Sequence, residues 1–92
     1  MTEIEIYMKV LEENNCKFSD ERTSASSDTN ILDYWHTKYG KVKVYYDYPT
    51  GKVGGIYYDF TKSYHLTDIL KDKIKVEIEI EIRDNSIYEI LN

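Results

Sequence analysis

Cys16, His36 and His65 are the residue types from which nucleophilic or metal chemistry is built, and this chain of 92 residues holds one cysteine and two histidines. A metal centre takes three or four ligands, commonly paired as HxxxH or CxxC, and neither spacing occurs here. His36, Cys16 and Asp33 can be drawn as a hydrolase constellation, but nothing in their spacing singles them out. The serines of SASSDT, residues 24–29, come with no identifiable base or oxyanion hole. The glycines of VGG, residues 53–55, lead into a strand pattern and not into the helix that a phosphate loop requires. The expectation is a protein that is not an enzyme, with no metal and no cofactor.

Carboxylates are the remaining chemistry. In KVEIEIEIRD, residues 75–84, a glutamate stands at every second position. Read as a strand, Val76, Ile78, Ile80 and Ile82 point one way and Glu77, Glu79 and Glu81 the other. Acid–base work would need a cleft that separates two carboxyl pKa values, whereas an exposed row keeps them all ionised. Same-face residues of a strand stand about 6.6–6.8 Å apart, and phosphates of one DNA strand advance about 3.4 Å per step. Glu77, Glu79, Glu81 and Asp84 could therefore stand in for alternate phosphates before a basic groove. Glu3, Glu5, Glu12 and Glu13 near the N-terminus would add to the charge, as would Asp20, Glu21 and Asp28 further on. The plainer reading is a solvated sheet face, with Lys41 and Lys43 pairing to the glutamates across strands.

Charge is unevenly placed. The formal total is −5, and residues 38–62 hold five bases against two acids while both ends are acidic. An acidic total argues against duplex DNA as a ligand, since that binding rests on lysine and arginine. Ten tyrosines are concentrated in DYWHTKY, VYYDY and IYYDF. Tyrosine suits half-buried strands, with the ring packed and the hydroxyl wet. It also marks partner interfaces, here through Tyr45, Tyr57 or Trp35. With Lys41, Lys43 and Lys52 it could form a stacking surface for single-stranded nucleic acid, but the acidic ends of the chain weigh against that, and no direct nucleic-acid partner is expected.

The elements that must position these residues follow from periodicity. Residues 3–14 alternate well enough for a strand, but Ile4, Tyr7, Met8 and Leu11 form a helical stripe. Thr2 with Glu5 has the form of a capping box and Asn14-Asn15 that of a stop, which predicts a helix. Residues 17–30 are polar and read as a surface loop or as a hairpin turning near Ser26-Ser27. ILDYWHTKY reads as a strand closed by Gly40. KVKVYYDY and KVGGIYYDF form a hairpin about Pro49-Thr50-Gly51, and Gly54-Gly55 allows a bulge. SYHLTDILKDK predicts a two-turn helix, followed by a strand over 75–84; SIYEIL is open between a strand, a helical turn and an arm docking on a second copy. The fold class is α+β in a single domain of residues 1–92: an N-terminal helix, an antiparallel sheet with a central β-hairpin, a short second helix and a long acidic-faced strand. A single cysteine, an acidic N-terminus unlike a signal peptide and the lack of a long apolar run predict an intracellular protein.

In length, acidity, tyrosine content, near absence of proline and single cysteine, the whole chain from MTEIEIYMKV to NSIYEILN resembles the Arn family of T-even bacteriophage anti-restriction proteins. The resemblance implies an acidic DNA mimic in the host cytoplasm, an elongated homodimer that blocks the DNA-binding surface of the modification-dependent restriction enzyme McrBC. Glu77, Glu79 and Glu81 would then be charge mimics. The basic stretch from Lys38 to Lys62 departs from that pattern.

Overall fold

Thr2 caps the first helix as its spacing with Glu5 predicts. The Glu5 backbone N–H donates to the Thr2 hydroxyl, and the Glu5 carboxylate accepts the Thr2 N–H at 3.0 Å. The helix, α1, runs Glu3–Glu13 and buries Ile4, Ile6, Val10 and Leu11. The N–H of Asn14 closes on the carbonyls of Val10 and Leu11, and Asn15 adopts a φ of 62°, which turns the chain into the sheet. The structure is a computed structural model that describes residues 1–24, 29–61 and 64–91, with the backbone alone at 21–24, 64 and 87–91.

Four strands follow: β1 (Lys17–Ser24), β2 (Asn30–Thr37), β3 (Gly40–Asp47) and β4 (Val53–Phe60). They pair antiparallel in the order β1-β2-β3-β4. Of the two readings of the polar segment, the hairpin is the one adopted through Ser24, because β2 offers backbone partners at Lys17, Phe18, Arg22, Thr23 and Ser24. The turn expected near Ser26-Ser27 lies outside the described residues. An irregularity between Phe18 and Arg22, with Asp20 at a φ of 62°, interrupts that ladder. Gly40 opens β3 where the sequence suggested a strand end.

The β3–β4 hairpin forms as predicted, with a register shift at Tyr45/Tyr46 where Gly54 is the extra residue. Its turn is tied to α1. The Asp47 carboxylate accepts the Thr50 hydroxyl at 2.6 Å, the Gly51 carbonyl accepts the Ile4 N–H at 2.9 Å, and the Glu3 carboxylate accepts the Val53 N–H at 3.1 Å. Gly51 has a φ of 71°, and a Cβ there would stand 2.6 Å from the Thr2 side chain, so the turn and the cap require glycine.

The largest departure from the sequence reading is at the C-terminus. Tyr64–Leu91 is one helix of 28 residues, α2, in place of a short helix and a long acidic-faced strand. Alternating isoleucines satisfy two periods at once. Ile74, Ile78 and Ile82 are every second apolar residue of the alternation, and they are also spaced i, i+4, i+8 on one helix face. Nothing in KDKIKVE supplies the turn that a helix-to-strand change would need, and residues 64–91 contain neither glycine nor proline. Lysine and glutamate also favour the helix. SIYEIL continues the same helix.

Both helices cover one face of the sheet. Trp35, Val42, Val44, Leu11, Val10 and Ile74 are fully buried between the layers, with Phe18 edge-on to Trp35 at 5.3 Å. No helix among the described residues is long and apolar enough to cross a membrane.

Candidate functional site

The change from strand to helix rearranges every carboxylate of the supposed row. Successive helix residues turn by about 100°, so Glu77 and Glu81 share one flank of α2 and Glu79 faces another way. Glu77 accepts a hydrogen bond from the Asn14 amide at 2.8 Å and lies 3.9 Å from Lys73. Glu81 pairs with Lys9 at 3.0 Å, which holds the Lys9 ammonium above its ordinary pKa. These two glutamates join α1 to α2 and are not a free row. Glu79 is exposed, and Asp84 is exposed beside Arg83 at 3.8 Å.

Of the other predicted acids, Glu3 and Glu5 are spent on the turn and the cap. The cap hydrogen bonds from Thr2 lower the Glu5 pKa. Glu12 and Glu13 are exposed at the end of α1, and Asp20 is exposed at the β1 irregularity. Glu21 lies in β1, where only the backbone is described, and Asp28 lies outside the described residues.

The catalytic drawing does not assemble. Asp33 and His36 stand on opposite faces of β2, and Cys16 is buried under the helices with its thiol pushed up to about 11 by desolvation. Such a thiol is no nucleophile at neutral pH. Among the described residues no group of three or more His, Cys, Asp or Glu side chains comes together for a metal.

What the fold does create is an open sheet face opposite the helices. Strand register arranges it as a grid. One row across it is Tyr34, Lys43, Tyr57; the row beside it is Leu32, Tyr45, Gly55; and on the other side lie Lys17, His36, Lys41 and Asp59. Lys43 stands at the centre of this grid, with rings on both flanking strands and a third ring two residues along its own strand. The Lys41 ammonium lies 5.5 Å from the Tyr34 ring centre, and Lys43 reaches Asp59 only at 4.0 Å.

Tyr57 is 58% exposed, and a Cβ at Gly55 would stand 2.8 Å from its hydroxyl. The ring lies back over the glycine and shows its other side to solvent. Asn30, Asp47 and Lys52 border a shallow depression beside Tyr45. Alternation along β3 puts Lys41, Lys43 and Tyr45 on one face, but the sequence-based pairing of Lys41 and Lys43 with the glutamates of residues 75–84 is corrected. The glutamates belong to the helix layer on the far side of the sheet. Trp35, offered as a contact residue, is wholly buried. Tyr34 was missed, because its place beside Lys43 depends on a register between separate strands.

These features define a two-layer α+β protein in which no described helix covers one aromatic and basic sheet face. No protein-family model, no curated protein and no solved structure matches the chain.

Proposed function

We propose that this protein is a non-enzymatic binding protein whose working surface is the open sheet face, and that its ligand is single-stranded nucleic acid. The observation that carries the reading is the Tyr34–Lys43–Tyr57 row, with Lys41 and Tyr45 along the middle strand. The exposed ring of Tyr57 and the half-buried rings of Tyr34 and Tyr45 offer stacking area to bases of any identity, and ammonium groups between them meet the phosphates. A protein-docking face would ordinarily keep charge away from its centre, whereas here a lysine occupies the centre. The overall charge of −5 does not oppose this locally. The two helices carry eleven acids against five bases, so the sheet and its loops hold six acids and seven bases. The outer helix surface lies across a molecule whose shortest dimension is 17 Å, beyond the screening length of about 10 Å.

The test is fluorescence anisotropy with a labelled oligothymidylate and an RNA of equal length, at about 50 mM and about 200 mM salt. Binding that weakens with salt is expected. Tyr57→Ala should weaken it about 5- to 100-fold, the loss of one stacked base, with an unchanged circular dichroism spectrum. No binding of either strand at the lower salt would overturn the reading, and a salt-insensitive protein contact through the tyrosines would take its place.

A second reading is the DNA mimicry that the Arn-like character implies: occupation of the McrBC DNA-binding surface in the host cytoplasm. What favours it is the excess of acids on the helices, with Glu12, Glu13, Asp68, Asp72, Glu79 and Asp84 exposed. McrBC cleavage of methylated DNA, with this protein titrated in at two salt concentrations, tests it. Mimicry predicts inhibition that salt and competitor DNA relieve, that reversal of Glu12, Glu13, Glu79 and Asp84 abolishes, and that Tyr57→Ala leaves intact. Unimpeded cleavage removes this reading.

A further inference from the structure

Between α1, α2 and the helix-facing side of β4 the fold leaves a cavity of about 300 Å³ that opens to solvent. Ile56, Ile78 and Ile82 line it together with Tyr7 and Tyr58. An apolar cavity of about 150 Å³ takes a benzene, so this one has room for a ring with a short side chain. Alternation along β4 turns Ile56, Tyr58 and Phe60 toward the helices and Tyr57 away from them. The cavity is therefore separate from the open sheet face.

Its polar groups are donors that the rest of the fold does not use. Tyr7 and Tyr58 are half-buried, and neither hydroxyl has a hydrogen-bond partner among the described residues. A phenol set into an apolar wall ordinarily finds one. Desolvation holds both phenols protonated, Tyr58 up to about 12, and Tyr7 stands close enough to contribute to that rise. Lys71 is half-buried beside them, its ammonium 5.5 Å from the Tyr58 ring centre and 5.7 Å from that of Phe60. Lys75 lines the same cavity one helical turn further on. Among the described residues neither lysine has a carboxylate partner. The two acids of the lining, Asp72 and Glu79, are both exposed.

An apolar pocket whose half-buried polar groups can all donate fits a ligand with an apolar body and an anionic acceptor at one end. An amine would meet Lys71 where it needed an acceptor, and a neutral alcohol would leave the ammonium without a counter-charge. We infer that this cavity binds a small monocarboxylic acid with an aromatic or branched aliphatic body. The body packs on Ile56, Ile78 and Ile82, and the carboxylate accepts from the phenol hydroxyls and the Lys71 ammonium. This assignment is independent of the ligand proposed for the sheet.

The experiment is a nitrogen-15 correlation-spectrum titration of the full chain with 3-phenylpropionate, 3-phenylpropanol and 3-phenylpropylamine, which share one body and differ in the head group. The acid should bind with a dissociation constant of about 1 mM or tighter, ahead of the alcohol and the amine, with shifts gathered on residues 71–82. Lys71→Met keeps the stem of the side chain and should weaken the acid about tenfold or more while changing the alcohol by no more than about twofold. Tyr7→Phe with Tyr58→Phe should weaken the acid by a similar factor. Ile82→Trp, which fills the cavity, should abolish binding with an unchanged circular dichroism spectrum, and Tyr57→Ala should leave it intact. No shifts with the acid at about 10 mM, ten times the weakest expected constant, would overturn the inference. An amine or alcohol that binds as well as the acid would do the same, as would an Ile82→Trp protein that binds like the parent.

Discussion

Cys16 and Tyr58 show how burial sets chemistry residue by residue. Desolvation raises the thiol from 9.0 to about 11, and raises the Tyr58 phenol from 10.0 to about 12 with smaller contributions from Cys16 and Tyr7. Both folded-state values lie above the ordinary ones, so the folded protein holds these protons more tightly than the unfolded chain. Their contribution to stability is whole below about pH 9 and is lost as pH rises through 11 and 12. Urea midpoints should therefore be level near neutrality and fall steeply at alkaline pH. Tyr58→Phe, which keeps the ring and removes the proton, should flatten part of that fall. At Gly51 the constraint is the backbone. Gly51→Ala must hold a positive φ and displace the Thr2 cap, so a loss of about 1–3 kcal/mol is expected by chemical denaturation.

At the scale of elements, α2 can be told from a strand by which isoleucines matter. A strand would give Ile74, Val76, Ile78 and Ile80 equal standing on one face. In the helix, Ile74 and Ile78 are buried and Val76 and Ile80 are half exposed. Ile74→Ala should cost about 2–5 kcal/mol, and Val76→Ala less than about 0.5 kcal/mol. Legibility differed for physical reasons. The Thr2–Glu5 box and the Pro49–Gly51 turn are local chemistry, so α1 and the β3–β4 hairpin could be read directly. Lys17–Ser24 has weak strand preference and is held by its ladder to β2, which no local pattern reveals. The alternation of residues 75–84 fits both periods, and the continuity of helix formers through Lys75 decides between them. The candidate site was legible only in part. Lys41, Lys43 and Tyr45 share a face by alternation within one strand, but Tyr34 and Tyr57 join them only through pairing.

At the scale of the whole molecule, two differently charged surfaces lie on opposite sides of a thin body. The helices hold the acid excess, and the open sheet face holds Lys17, Lys41 and Lys43 against Asp47 and Asp59. Neutralising acids on α1 and α2 and neutralising lysines on β3 should therefore have separable effects. Glu12→Gln with Glu13→Gln should change oligonucleotide affinity at about 200 mM salt by no more than about twofold, since these charges belong to the helix layer and screening there falls below about 8 Å. Lys43→Gln should weaken binding and lower its salt dependence by about one counterion. Anisotropy titrations across a salt series read both effects.

The order β1-β2-β3-β4 has a kinetic consequence. Every strand pairs with its neighbour in the chain, so the sheet can zip up through successive hairpins without closing a long loop. The contacts that reach far along the chain are those of α1, with the β3–β4 turn through Glu3–Val53 and Ile4–Gly51 and with α2 through Lys9–Glu81 and Asn14–Glu77. Refolding should then be fast for a protein rich in sheet, in about milliseconds. Ile78→Ala should act mainly by speeding unfolding, because the helix it anchors docks after the sheet has formed.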